Sequence, residues 1–299
     1  MDPLGDAGLE PLPGLHQASH LRSPHSITWA AIFMALLTFL TSRETAHAQP
    51  APVPEIRPGI LAGYLPTDTL PNSIALIPPP PTAGSAALAL DQAISNSALA
   101  LRDTPRWTLA TEDADLSFPN AAGTFSCALD APITVEDTPH LYMVLRRSLA
   151  DAGLSTYSAK NLYTRSRPFT VNNAPICSPD EETALRKDGS YPSGHTAVGW
   201  AWALILSEVA PDRSDAILAR GRAFGESRVI CNVHWESDVI EGRFVGAAAV
   251  ARLHANPAFL ADLKIGVDEL ASVRAKGLKP VRDCKTEAAA MALDPLQAP

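Results

Sequence analysis

Thr196 to Val209 is an apolar run of helical length, carrying Trp200 and Trp202 and no charge before Glu208. A segment with so little polar surface predicts a helix buried inside a core rather than laid on its outside. Turn-forming residues Asp188-Gly189-Ser190-Tyr191-Pro192 precede it, and Ser193-Gly194-His195 falls at its start. The rest of the chain must therefore supply neighbours that enclose a helix on all sides.

Those neighbours read as helices too. From Gly84 the sequence is rich in Ala and Leu, with helical patterning to Leu101 and shorter candidates over Arg106–Asp115 and Asn120–Leu129. Thr138 has the character of an N-cap with Pro139 in the first turn of a helix reaching about Gly153. Arg213–Glu226 reads as a helix. A further helix carrying His234 and Asp238 is expected to run to about Ala255, its Gly242 and Gly246 allowing close approach to the helix after His195. A last one starts at Pro257. The expected fold is all-α, a single compact helical domain over residues 84–277 with a proline-rich extended N-terminal arm over 49–83 and a peripheral tail over 278–299. The arm ends in Pro78-Pro79-Pro80-Pro81 and predicts extended or polyproline backbone.

Residues 1–48 read as a targeting segment. Ile27–Leu40 is an almost uncharged apolar run preceded by Arg22 and followed by Ala46-His47-Ala48, a signal-peptidase pattern. The run falls short of the ~20 residues that cross a bilayer comfortably, which weighs against an uncleaved anchor. Export to the periplasm or the medium, with Gln49 as the mature start, is the expectation. Cys127, Cys177, Cys231 and Cys284 then form an even set in an oxidising compartment, with no zinc-type spacing. A Cys177–Cys231 bridge would brace the site described next and leave Cys127 with Cys284, the alternative being buried free thiols. A formal net charge of −8 with scattered Lys and Arg argues against nucleic acid as a partner.

Three stretches carry chemistry. In Ser227-Arg228-Val229-Ile230-Cys231-Asn232-Val233-His234-Trp235-Glu236-Ser237-Asp238, His234 and Asp238 stand four apart, so on a helix both project from one face. A carboxylate that holds one ring nitrogen leaves the other free to attack, and Arg228 is at hand for an anionic substrate. Lys160 and Arg167, in a stretch with Arg165 and Pro168, concentrate cations in an otherwise acidic protein. Arg167 is expected to point from a helix terminus into a cleft. Ser193, Gly194 and His195 at a helix N-terminus offer free N–H groups to a phosphate, with His195 placed to give a proton, although a plain helix cap accounts for the same residues. Glu112, Asp113 and Asp115 could serve such a site as acids, but a solvated face is the expected reading.

Taken in order, Lys-x6-Arg-Pro, Pro-Ser-Gly-His and Ser-Arg-x5-His-x3-Asp form one pattern. It resembles the signature of the phosphatidic acid phosphatase type 2 and vanadium haloperoxidase superfamily. The likeness is greater to its exported branch, the class A bacterial nonspecific acid phosphatases. There it extends from about Tyr64 to Leu260, through Leu76-Ile77-Pro78-Pro79-Pro80-Pro81, Thr124-Phe125-Ser126-Cys127, Asp188-Gly189-Ser190-Tyr191 and Cys231.

The resemblance implies an all-α, metal-free phosphomonoesterase with no cofactor, working through a phosphohistidine. It implies that His234 is the nucleophile and Asp238 its orienting partner. Lys160, Arg167 and Arg228 would hold the phosphoryl oxygens with the Ser193 hydroxyl and Gly194 N–H, and His195 would protonate the leaving alcohol. Its partners would be small-molecule phosphate monoesters and further copies of itself in a homo-oligomer. Arg165 matches no motif position.

Other classes remain in view. A vanadate-dependent haloperoxidase would use the same residues, and a non-catalytic phosphate-binding protein would need the cations but not the His234–Asp238 pair. An integral lipid phosphatase would need long apolar spans beyond the leader. A metal set drawn from His195, His234, Glu236 and Asp238 is opposed by the cations alongside.

Overall fold

The computed structural model describes residues 49–293. Residues 1–48, expected to be a targeting segment, and the last six residues of the tail lie outside them. Among the described residues the only strands are β1 (Glu55–Arg57) and β2 (Ile60–Leu61), a small antiparallel hairpin. Its turn is Pro58-Gly59, where Gly59 takes a φ of 77°, the left-handed backbone that glycine accepts without steric cost. The hairpin is a local departure in an otherwise helical fold.

The longer helices are α1 (Ala86–Ala98), α2 (Pro105–Ala114), α3 (Pro139–Leu154), α4 (Tyr157–Tyr163), α5 (Gly194–Val209), α6 (Ser214–Ile230), α7 (Glu236–Leu253), α8 (Pro257–Ala275) and α9 (Cys284–Met291). Helix α5 is the central one, packed against α6 and α7 and also touching α3 and α8. Trp202 on it is fully buried, and its indole N–H donates to the Leu145 carbonyl at 3.0 Å, so the polar edge of the largest core side chain is satisfied. Gly242 lets α7 lie against the start of α5. A Cβ at that position would sit 2.7 Å from the Ser193 carbonyl oxygen, and Gly246 meets Ala197 in the same way one turn on. The small residues therefore bring the two chemical stretches together as expected.

Two local expectations are revised. Pro139 opens α3, but Thr138 does not cap it, because its hydroxyl bonds the Thr134 backbone instead. The free N–H groups of His140 and Leu141 go to the buried Glu269 carboxylate on α8, each at 3.0 Å, so a tertiary contact does the work of a local cap. Asp113 belongs to no solvated face. It is fully buried and pairs with the fully buried Arg220, while Glu112 and Asp115 are exposed.

Much of the tail after Gly277 is docked rather than peripheral. It forms α9, packs on α2, sends Glu287 to within 3.5 Å of Arg220, and is tied back by a Cys127–Cys284 disulfide. The proline-rich arm is likewise held down. Asp151 on α3 accepts the Tyr64 and Leu65 N–H groups at 2.9 Å each, and the Tyr191 hydroxyl donates to the Pro78 carbonyl at 2.6 Å.

Candidate active site

The three chemical stretches converge where α4, α5, α6 and the start of α7 meet. Lys160, on the last turn of α4, and Arg167 are both buried. Arg167 lies at the head of a short helix, Pro168–Asn172, so its proline opens a helix instead of closing one. Ser193 is the N-cap of α5, its hydroxyl accepting the Thr196 N–H at 3.2 Å, and Gly194 is the first residue of the helix. The cap reading of this stretch is thus correct. It leaves the Gly194 N–H at the positive end of the helix dipole, beside the cavity described below, while Ser193 itself is fully buried and also accepts from the Thr196 hydroxyl at 2.9 Å.

His234 and Asp238 pair, but not across a helix face. Helix α6 ends near Cys231, Asn232 takes a left-handed φ of 63°, and α7 begins only at Glu236. His234 sits in the turn between, with its N–H on the Arg228 carbonyl at 3.2 Å. Asp238, three residues into α7 from the cap, accepts the Trp235 N–H at 2.9 Å and reaches His234 Nδ1 at 3.2 Å with the same Oδ2. The spacing of four works through a capping carboxylate that doubles as the histidine's partner. On the other side of the ring, Arg167 Nη1 lies 3.1 Å from Nε2. An arginine can only donate, so Nε2 is the bare nitrogen and Nδ1 carries the proton toward Asp238.

The electrostatics keep both histidines neutral in the free protein. Burial first, then Arg167, Lys160 and Arg228, hold the His234 imidazole well below the ordinary histidine range. Burial and Arg228 push His195 the same way, while the Ala114 carbonyl at 3.0 Å from its Nε2 works in the opposite sense. That carbonyl closes α2, whose negative dipole end favours an imidazolium. Burial and neighbouring Arg167 lower Lys160 to about 8, and burial lowers Arg228 to about 10. Arg228 is fully buried, and none of its three guanidinium nitrogens finds a hydrogen-bond partner among the described residues. Its nearest carboxylate oxygen, on Glu181, is 3.9 Å away.

A cavity of about 270 Å³ opens over this cluster, lined by Lys160, Arg167, Gly194, His195 and His234. Ile56, Arg57 and Ile60 of the hairpin and Leu116 form part of its outer wall. Among the described residues no group of three or more His, Cys, Asp and Glu gathers as a metal set would, so the four residues raised from the sequence do not converge in that way.

A family model described as the PAP2 superfamily matches residues 141–259. The non-specific acid phosphatase of Providencia stuartii is 46% identical over 212 residues, which cover 71% of this chain and 86% of that protein. Its namesake in Salmonella typhimurium is 46% identical over 200 residues, 67% of this chain and 80% of the relative. The chain belongs to the PAP2 superfamily. More distant within the same group, the acid phosphatase of Zymomonas mobilis is 39% identical over 209 residues, 70% of this chain and 79% of its own.

Within this PAP2 site the structure adds residues that the motifs did not single out. Asp188 Oδ2 lies 3.3 Å from Lys160 Nζ and 3.1 Å from Arg167 Nη2, holding the two cations side by side. The Ser190 hydroxyl donates to Asp238 Oδ2. Both belong to the turn-forming stretch before α5, and turn chemistry hid their second use. Cys177 and Cys231 are bonded, with Cα atoms 4.7 Å apart, and so clamp the end of α6 beside Arg228 and His234. No described helix is long and apolar enough to cross a membrane.

Proposed function

We propose that this protein is an acid phosphatase that hydrolyses small-molecule phosphate monoesters through a phosphohistidine on His234. The observation that carries the reading is Arg228: a fully buried guanidinium with no hydrogen-bond partner among the described residues, in the field of Lys160, Arg167 and two histidines. A buried cation without acceptors is costly, and a tetrahedral oxyanion supplies the acceptors it lacks. The relatives' shared name points to the same chemistry.

In this mechanism Lys160, Arg167 and Arg228 hold the phosphoryl oxygens together with the Ser193 hydroxyl and Gly194 N–H. Arg167 turns its donor from His234 Nε2 to the substrate, freeing the lone pair. Nε2 then attacks phosphorus, the bond from phosphorus to the ester oxygen breaks, and His195 gives its proton to the departing alkoxide. Asp238 stabilises the positive charge that grows on the ring. Water next attacks phosphorus, losing its proton to His195, the phosphorus–nitrogen bond breaks with its electron pair returning to Nε2, and phosphate leaves. An alcohol in place of water would give phosphotransfer.

The anionic substrate matters for protonation. Its charge offsets the cations that depress both histidines, so His195 gains a proton more readily in the complex than in the free protein. This favours turnover on the acid side of neutrality.

Export belongs to the same reading, supported by the leader pattern and by two disulfides of the kind found in oxidising compartments, and the family resemblance extends the reading to metal independence and assembly as a homo-oligomer. The test is hydrolysis of a chromogenic phosphate monoester by the chain from Gln49 onward, with and without EDTA. Activity that survives chelation and vanishes in His234→Ala is the expected result. Activity lost on chelation and restored by added metal would overturn the mechanism.

A further inference from the structure

We propose that Arg165 and Asp91 are positioning residues for the nucleophile, acting through Asp238; the inference rests on the reading of His234 as the attacking group. Neither belongs to the pattern that defines the site, and Asp91 lies in α1, far from it in sequence.

The geometry is a chain of charge-assisted bonds. Asp238 is fully buried and uses Oδ2 for His234 Nδ1, the Trp235 N–H and the Ser190 hydroxyl. Its Oδ1 is taken by Arg165 Nη1 at 2.6 Å, the one side chain bonded to that oxygen among the described residues. The same Nη1 donates to the Ser237 hydroxyl at 2.7 Å, and Nη2 donates to Asp91 Oδ2 at 2.7 Å. Asp91 is buried as well and is itself fixed, accepting the Ser237 N–H at 2.9 Å and the Ser237 hydroxyl at 2.6 Å. The Trp235 ring lies 5.5 Å from the Arg165 guanidinium carbon and the Tyr191 ring 6.0 Å from it. The carboxylate that steers His234 is thus locked from α1, from the loop after α4 and from the first turn of α7.

Position and charge are set together. Arg165 alone would neutralise Asp238 and weaken its hold on the imidazolium that forms during attack. Asp91 restores the balance, so the trio carries one net negative charge. On its far side His234 faces the cationic group of Lys160, Arg167 and Arg228, with Asp188, Glu181 and neutral His195 around them. Removing Arg165 leaves a buried carboxylate oxygen unpaired and the His234 ring less firmly held, since only the Oδ2 contacts of Asp238 remain. Removing the charge of Asp91 keeps the shape but lets Arg165 neutralise Asp238.

The test uses Arg165→Met, Arg165→Lys and Asp91→Asn in the full chain, beside His234→Ala. The expected losses in kcat are about 30- to 100-fold for Arg165→Met and about 5- to 20-fold for Asp91→Asn, with KM moved less than about threefold, as befits lost transition-state support. Arg165→Lys should recover part of the loss, because an ammonium keeps the charge but lacks the planar fork that meets both carboxylates and Ser237 at once. The losses should be equal for esters of good and poor leaving groups, since the defect lies in the attacking ring.

Should Arg165→Met fail to fold, the isosteric Asp91→Asn decides the matter. Wild-type kcat in folded Asp91→Asn, or a raised KM at unchanged kcat in the Arg165 variants, would overturn the proposal while an inactive His234→Ala left the nucleophile in place. Retained activity in His234→Ala would instead remove the reading on which it rests.

Discussion

Arg167 Nη1 points at His234 Nε2 from 3.1 Å, so in the free protein a buried cation covers that nitrogen's lone pair. The contact fixes the tautomer and, with burial, disfavours protonation of the ring. Under the proposed mechanism it would also couple binding to activation, because a substrate that occupies Arg167 would uncover the attacking nitrogen.

Replacing His234 with Ala should abolish phosphoenzyme formation, whatever the leaving group. Asp238→Asn should act as a weaker form of the same lesion, with kcat down by about 10²- to 10⁴-fold, because the amide both loses the charge and misdirects the ring tautomer. Acid-quenched rapid mixing with labelled substrate reads both. A label that persists in His234→Ala would place the intermediate elsewhere.

His195→Ala should separate substrates by their alcohols. Nitrophenyl esters, whose alcohols depart without a proton, should lose little in the phosphorylation step, whereas alkyl esters should lose about 10²- to 10⁴-fold. The phosphohistidine should also decay slowly, since the same residue activates water. Single-turnover kinetics on a series of leaving groups measures the slope; equal losses across the series would remove His195 from this role.

Lys160 gives the cradle a pH limit. Burial and Arg167 lower it from its ordinary value to about 8, so as pH rises through 8 the folded protein loses a cation that a free lysine would keep. Affinity for sulfate, which holds its charge throughout this range, should fall above pH 8, by up to about tenfold per pH unit if each binding event needs the charged form. Lys160→Arg should keep affinity flat across the same window. Calorimetric titrations at several pH values compare the two, and a parallel fall in both proteins would assign the loss to another group.

The docked tail should matter for stability rather than chemistry. Removing the Cys127–Cys284 bridge with paired serines should cost about 2–4 kcal/mol of unfolding free energy, since it closes a long loop and anchors α9. Truncation after Gly277 should be no milder, because it also strips Glu287 from buried Arg220. Denaturant unfolding measures the cost, and kcat of the folded fraction should stay within about threefold of the parent, as expected for a lesion that leaves transition-state contacts intact. A tenfold fall in that value would show that α9 supports the site.

The sequence alone determined the helical class, the central buried helix after His195, the identities of the cations and the two histidines, and the closeness of α5 and α7 through Gly242 and Gly246. These are legible because they rest on local rules: an apolar run has no solvent face, an N-terminus has free N–H groups, and a glycine pair admits a neighbouring backbone. Only the tertiary structure decided how the site is held. Asp91, Asp188 and Ser190 look like ordinary polar residues of helix and turn, and Arg165 like surplus charge, because the partners that give them purpose come from other segments. The same holds for Glu269 capping α3 and for Asp113 and Glu287 meeting Arg220 in the interior. Even His234 and Asp238, paired correctly by their spacing, meet through a turn and a capping carboxylate rather than along one helix. A buried charge must find its counter-charge wherever the fold delivers one, and that choice is made in space, beyond the reach of any sequence window.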